Sequence, residues 1–199
     1  FFECFKLTNI QFDAENCHTN NPVFAYTHTP TTLNIGNTVQ IIDDYIFYGM
    51  NLTNIEIPAS ISSIEKMAFA NSTHLEKINI LSQNELKIDN TAFNNTAWIK
   101  KQSDDIIYVN TIALKYIGKE QPQELTFQEG TTAIASNFMT NNDKLKTINL
   151  PSSLQTIGAN AFSGCSNITN INFPRNINSI YEEAFINCSN LKYINIPAS

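Results

Sequence analysis

No apolar run in this 199-residue chain approaches the roughly 20 residues that a membrane-spanning helix needs, so insertion into a bilayer by a helix is not expected within it. The first residues, from Phe1 on, do not themselves read as a secretory leader. Basic residues are scarce: 12 Lys and Arg stand against 18 Asp and Glu, for a net charge of −6 and a pI near 5.0. With no basic run to release counterions from phosphates, DNA and RNA are set aside as partners. The chemical motifs are missing too. There is no Cys-x-x-Cys pair, no Gly-x-Ser-x-Gly, no P-loop and no Gly-x-Gly-x-x-Gly, and His18, His28 and His74 have no metal-ligand spacing. The acid pairs Asp43-Asp44 and Asp104-Asp105 read as solvated turns, because neighbouring residues on a strand point to opposite faces. No catalytic residue, metal or cofactor is assigned, and the chain is expected not to be an enzyme.

What the chain does have is a repeat of 23 residues, clearest when Leu145 to Cys165 is laid over Ile168 to Cys188. Counting from a leucine-like start, the template is apolar at offsets 0, 3, 5, 9 and 12, with Pro at 6, Ala at 16, Phe at 17 and Cys at 20. Units begin at Leu7, Pro30, Leu52, Leu75, Ile99, Pro122, Leu145, Ile168 and Leu191, with one-residue slips near Leu52 and Leu86. Self-similarity at such a period predicts a solenoid, in which no unit buries its apolar face alone and stacking supplies the core.

Each position has a mechanical reading. Apolar residues at offsets 3 and 5 around a polar one alternate with period two, which predicts a short strand. Pro58, Pro151, Pro174 and Pro197 follow directly, where a residue without an N–H ends ladder pairing. Strands that open successive units run the same way, so they pair in parallel and need a return segment over the core. The Ala-Phe pair supplies that return, the phenyl ring filling the space inside the arc. The predicted fold is an α/β-type leucine-rich-repeat solenoid with short parallel strands on one face. With 42% hydrophobic and 15% charged residues it is expected to be one continuous domain over 1–199, without a linker and monomeric.

The stretch Leu145 to Ser199 resembles, almost letter for letter, the BspA-like leucine-rich repeat family, whose units read Leu-x-x-Ile-x-Ile-Pro-x-Ser-Val-x-x-Ile-Gly-x-x-Ala-Phe-x-x-Cys. The likeness extends in weaker form over the whole chain. Residues 96–118 are similar to the interrupting unit common in that family, with Thr96-Ala-Trp98 at its start and a Tyr-rich hairpin after it, although Asp104-Asp105 replaces the usual Asp-Gly. The interruption covers about 97–121. Ile106 to Val109, the turn Asn110-Thr111 and Ile112 to Ile117 read as two strands of a hairpin. What the resemblance implies is an extracellular, cell-surface protein of anaerobic bacteria or mucosal protists, associated with adhesion to host proteins.

Residues at offset 4 point away from the core, so stacking gathers Gln11, Asn34, Glu56, Asn79, Thr126, Asn149, Asn172 and Asn195 into columns. Their flanks at offset 2 are Asn9, Thr32, Asn54, Lys77, Glu124, Thr147, Asn170 and Tyr193. Such a polar, nearly uncharged wall could serve to keep the sheet soluble, or could grip an extracellular protein or glycan with neutral donors and acceptors. The second reading predicts weak salt dependence. Tyr108 and Tyr116, with Trp98, either patch the core where the repeat is interrupted or offer aromatic anchors on a projecting hairpin. The alternative to a binding module is a spacer that displays another domain, enzymatic or not, of a longer chain.

Cys4, Cys165 and Cys188 all occupy offset 20, which explains them as a buried ladder of thiols. Cys165 and Cys188 on adjacent turns also fall within disulfide reach, and Cys17 is either free or a partner for Cys4. Five Asn-x-Ser/Thr sequons, at Asn51, Asn71, Asn94, Asn167 and Asn187, match the four to five that chance gives for 28 Asn and roughly one Ser or Thr in six. They therefore say nothing for glycosylation, and Asn187, next to the inward Cys188, is expected to be the poorer acceptor. The abundance of Asn and Ile hints at an AT-rich genome. The chain opens and closes inside repeats, so it is expected to be a piece of a longer protein whose signal peptide, caps and anchor lie outside it.

Overall fold

The computed structural model describes residues 1–199 except 2, 16, 18–21, 28, 82–85 and 199. His18 and His28 thus lie outside the described residues, as does most of the segment before Leu86 that holds the second register slip. The chain divides into two compact units, Phe1–Ser103 and Asp104–Ser199. Each is a β-solenoid of 23-residue coils.

In the first unit the expected strands are β1 (Asn9–Phe12), β2 (Thr32–Ile35), β4 (Asn54–Ile57) and β6 (Lys77–Ile80). They alternate as the sequence requires: in β4, Ile55 and Ile57 are buried while Asn54 and Glu56 are exposed. β1 pairs with β2 and β4 with β6, both in parallel. Pro58 then turns the chain, its carbonyl accepting from the Ile61 N–H at 3.1 Å. The return arc carries a second run of two-residue strands, β3 (Ile41–Ile42), β5 (Ser63–Ile64) and β7 (Lys87–Ile88), which form their own parallel sheet. The arc is thus a second ladder as well as the cover over the core that the repeat pattern predicts. Helix is confined, among the described residues, to one turn, α1 (Ala97–Lys100).

The second unit opens with the hairpin of β8 (Ile106–Val109) and β9 (Ile112–Tyr116), antiparallel across Asn110-Thr111. The hairpin does not stand apart. β9 also pairs in parallel with β11 (Ala133–Ile134), which continues through β13 (Thr156–Ile157) to β15 (Ser179–Ile180). The hairpin is therefore the edge of a five-stranded sheet. The opposite wall holds β10 (Glu124–Thr126) paired with β12 (Thr147–Asn149), and β14 (Asn170–Asn172) paired with β16 (Tyr193–Asn195).

A third side closes each coil through backbone bonds to the next one. Phe47 N–H donates to the Ala68 carbonyl at 3.0 Å and Gly49 to Ala70 at 2.8 Å; Phe162 and Gly164 repeat the pattern onto Ala184 and Ile186, both at 2.8 Å. This side demands left-handed backbone at offsets 15 and 19, seen at Asn160 (φ 55°) and Gly164 (φ 73°), and Asn and Gly adopt it at least cost. Inside, the offset-17 rings stack along the coil axis. Phe47, Phe69 and Phe93 follow one another at 5.4 Å, and Phe162 meets Phe185 at 5.4 Å. All except Phe185 are wholly buried, so each ring is core to two coils at once.

Candidate binding surface

The polar columns exist, as two separate sets. In the first unit, Asn9 is in register with Thr32 and Gln11 with Asn34, then Asn54 with Lys77 and Glu56 with Asn79. In the second, Glu124 is in register with Thr147 and Thr126 with Asn149, then Asn170 with Tyr193 and Asn172 with Asn195. All sixteen are exposed.

Part of each column is spent along its own ladder. The Asn79 amide donates to the Glu56 carboxylate at 3.1 Å, and the Asn149 amide donates to Thr126 Oγ1 at 2.8 Å and to Glu124 Oε1 at 2.7 Å. Asn34, Asn172 and Asn195 make no side-chain hydrogen bond among the described residues. In the second unit the exposed amides of Asn172 and Asn195 share their strand pair with Tyr193, which is 58% exposed.

The wall strands pair two by two, and two recesses lie along them. The one between β2 and β4 is small, about 130 Å³, and reaches Asn34 and Glu56. A larger recess of about 310 Å³ runs across the starts of β12, β14 and β16, lined by Lys146, Thr147, Asn167, Thr169, Asn190 and Lys192. Asn190 donates to Asn167 Oδ1 at 3.1 Å along its floor. Neither lysine is in an ion pair among the described residues. As candidate binding residues all but Thr147 are new, because they lie at offsets 1 and 22 rather than 2 and 4; the signal there is Lys146 and Lys192 at offset 1 and Asn167 and Asn190 at offset 22.

Tyr108 and Tyr116 lie elsewhere, half-buried against the core of the second unit. The Tyr108 hydroxyl accepts from the Gln128 N–H at 3.1 Å, and the Tyr116 hydroxyl donates to the Glu120 carbonyl at 2.9 Å. Burial, and then the carboxylates of Asp105 and Glu120, push the Tyr116 phenol up from its ordinary pKa. Trp98 belongs to the first unit, where its ring meets Phe93 edge-on at 6.1 Å. No group of three or more His, Cys, Asp or Glu among the described residues could hold a metal ion, and no helix is long and apolar enough to cross a membrane.

Stacked 23-residue coils with a parallel wall strand, in four of them a proline stop and in most an inward phenylalanine, define a leucine-rich-repeat solenoid. The profile of the BspA type leucine rich repeat region matches residues 1–113 and 109–199, with 6 copies, and the chain belongs to that family. Similar solved structures include a leucine rich cell surface protein of Faecalibacterium prausnitzii, at 17% identity and TM-score 0.40 over 98% of this chain and 61% of that one. A leucine-rich repeat protein of Eubacterium ventriosum is similar at 22% identity and TM-score 0.44, over 98% and 55% of the two chains. The pneumococcal vaccine antigen PcpA is similar at 18% and 0.37, over 96% and 60%. The chain thus spans less than two thirds of the length of these proteins. No curated protein matches it.

Proposed function

We propose that this chain is a non-catalytic binding module exposed at a cell surface, which holds an extracellular protein or glycan on the strand wall of its second unit. The observation that supports this most is the 310 Å³ recess across the starts of β12, β14 and β16, with the unengaged amides of Asn172 and Asn195 further along the same strands. Convergent neutral donors and acceptors around a concavity suit a polar ligand, and Lys146 and Lys192 add positive charge on a chain of net charge −6. Membership of the family is consistent with a surface-displayed module.

The test is retention of purified matrix proteins and mucin-type glycoproteins on the immobilised chain. Replacing Asn149, Asn172 and Asn195 together with Lys is expected to abolish retention, and replacing Tyr108 and Tyr116 with Ser is expected to leave it. Loss only in the tyrosine variant, with both proteins folded, would move the site to the hairpin. No retention across the panel would favour a spacer, a reading that the Asn79–Glu56 and Asn149–Thr126 bonds along the ladder support, since they satisfy the wall internally.

A further inference from the structure

The third side of the first unit carries three tyrosines that the repeat does not call for. Tyr26 stands at offset 19, Tyr45 at offset 15 and Tyr48 at offset 18. Tyr26 and Tyr45 occupy the left-handed positions of their coils, at φ 59° and 58°. In the second unit those offsets hold Asn137, Asn160 and Glu183, then Asn141, Gly164 and Asn187. Bulky residues are disfavoured in this region of backbone space, where Asn and Gly are tolerated, and strained backbone of this kind concentrates at functional sites. The rings also form one surface: Tyr26 meets Tyr48 edge-on at 6.4 Å, and Tyr45 lies 5.9 Å from Tyr48. Tyr26 is 45% exposed and the other two are half-buried. Gly49, itself left-handed at φ 66°, lies under Tyr26, which a Cβ there would meet at an ordinary 3.6 Å.

The aromatic surface runs on into amides. The Asn71 side chain donates to the Tyr48 hydroxyl, and Asn95 donates to Asn71 Oδ1 at 2.7 Å. Tyr26, the Tyr45–Tyr48 pair, Asn71 and Asn95 sit on four successive coils. Three steps of about 4.8 Å make a strip of roughly 14 Å.

We propose that this strip is a second binding site, independent of the strand wall, for a neutral glycan of about three sugars. A pyranose has an apolar C–H face that lies flat on a tyrosine ring and a rim of hydroxyls that amides can both donate to and accept from. The rings are turned from one another by 83° and 50°, so ring faces and edges, with the amides beside them, offer separate contacts to successive sugars. Asp43 and Asp44 directly precede Tyr45, with Asp44 accepting the Lys66 N–H at 3.0 Å, and their charge disfavours sialylated or sulfated sugars.

The experiment is titration calorimetry of the whole chain with neutral β-linked oligomers of galactose, glucose and N-acetylglucosamine, and with a sialylated oligosaccharide as the charged comparator. At least one neutral oligomer is expected to bind, and the sialylated one to bind at least tenfold more weakly. Tyr26→Asn with Tyr45→Asn should weaken binding at least tenfold while the melting temperature stays level or rises, because Asn accepts the left-handed backbone. Tyr26→Phe with Tyr48→Phe keeps the rings and should stay within about threefold of the parent. The proposal is overturned if no neutral oligomer binds, if the Asn variant binds like the parent, or if that variant melts lower, which would mean that the tyrosines serve the fold.

Discussion

The Cys188 thiol donates to the main-chain carbonyl of Phe162, one coil back, at 3.4 Å. Cys165 does the same to Met139 at 3.4 Å, and in the first unit the Ser72 hydroxyl reaches the Phe47 carbonyl at 3.4 Å from the equivalent position. Offset 20 therefore asks for a small inward donor, which a thiol satisfies without a bridge. All four cysteines are free.

Burial pushes the Cys165 thiol up to about 11, and Cys188 moves the same way for the same reason. A thiol whose pKa is raised on folding contributes stability below its unfolded value near 9, and that contribution is lost as pH rises through about 11. The melting temperature is expected to fall between pH 9 and 11, and Cys165→Ser to flatten that fall. Thiol titration of the unfolded, unreduced chain should return four groups; fewer would reveal a bridge.

Phe162 is wholly buried between Phe138 at 6.0 Å and Phe185 at 5.4 Å. Phe162→Ala is expected to cost about 3–5 kcal/mol by urea unfolding, the range for emptying a large core site. Asn149→Ala, on the exposed wall, should cost under about 1 kcal/mol. Equal shifts would mean that the strand faces are reversed.

Gly158 is small for want of space. A Cβ there would lie 2.4 Å from the Ser136 nitrogen and 2.7 Å from the Ala135 carbonyl carbon, both backbone of the previous coil. Gly158→Ala should cost at least about 2 kcal/mol, because the coils must separate and the 2.8 Å bond from Gly158 to Ile134 must stretch. Unchanged denaturant stability would refute this close approach.

Thr96 is fully buried at the start of α1, where its hydroxyl donates to the Phe93 carbonyl at 2.9 Å and accepts from the Ile99 N–H at 3.2 Å. Thr96→Ala is expected to cost about 1–2 kcal/mol, and Thr96→Ser to retain most of it. Thermal melts of the two variants side by side decide the matter.

Much of this architecture was legible because burial leaves a period in the sequence. Ile55 and Ile57 face the core, Glu56 does not, and Pro58 stops the strand, so β4 could be read before any coordinates. The hairpin was legible for the same reason, through two apolar runs about Asn110-Thr111. The second run of strands was not. Ser63-Ile64 is two residues long, too short for alternation to register, and it is a strand only because Ile42 and Ile88 lie on either side.

The sequence by itself determined the coil: its length, its inward residues, its proline stop and the family to which it belongs. Only tertiary structure decided what meets across coils. Tyr26 and Tyr48 are 22 positions apart and touch because one coil rests on the next. Lys146 and Lys192, two coils apart, share a recess because three successive coils stack their strand starts side by side. Repetition encodes what a residue does within its own coil, where local geometry is fixed by hydrophobic period. It cannot encode where a ladder breaks or which odd side chains fall side by side, because those follow from how neighbouring coils settle onto one another.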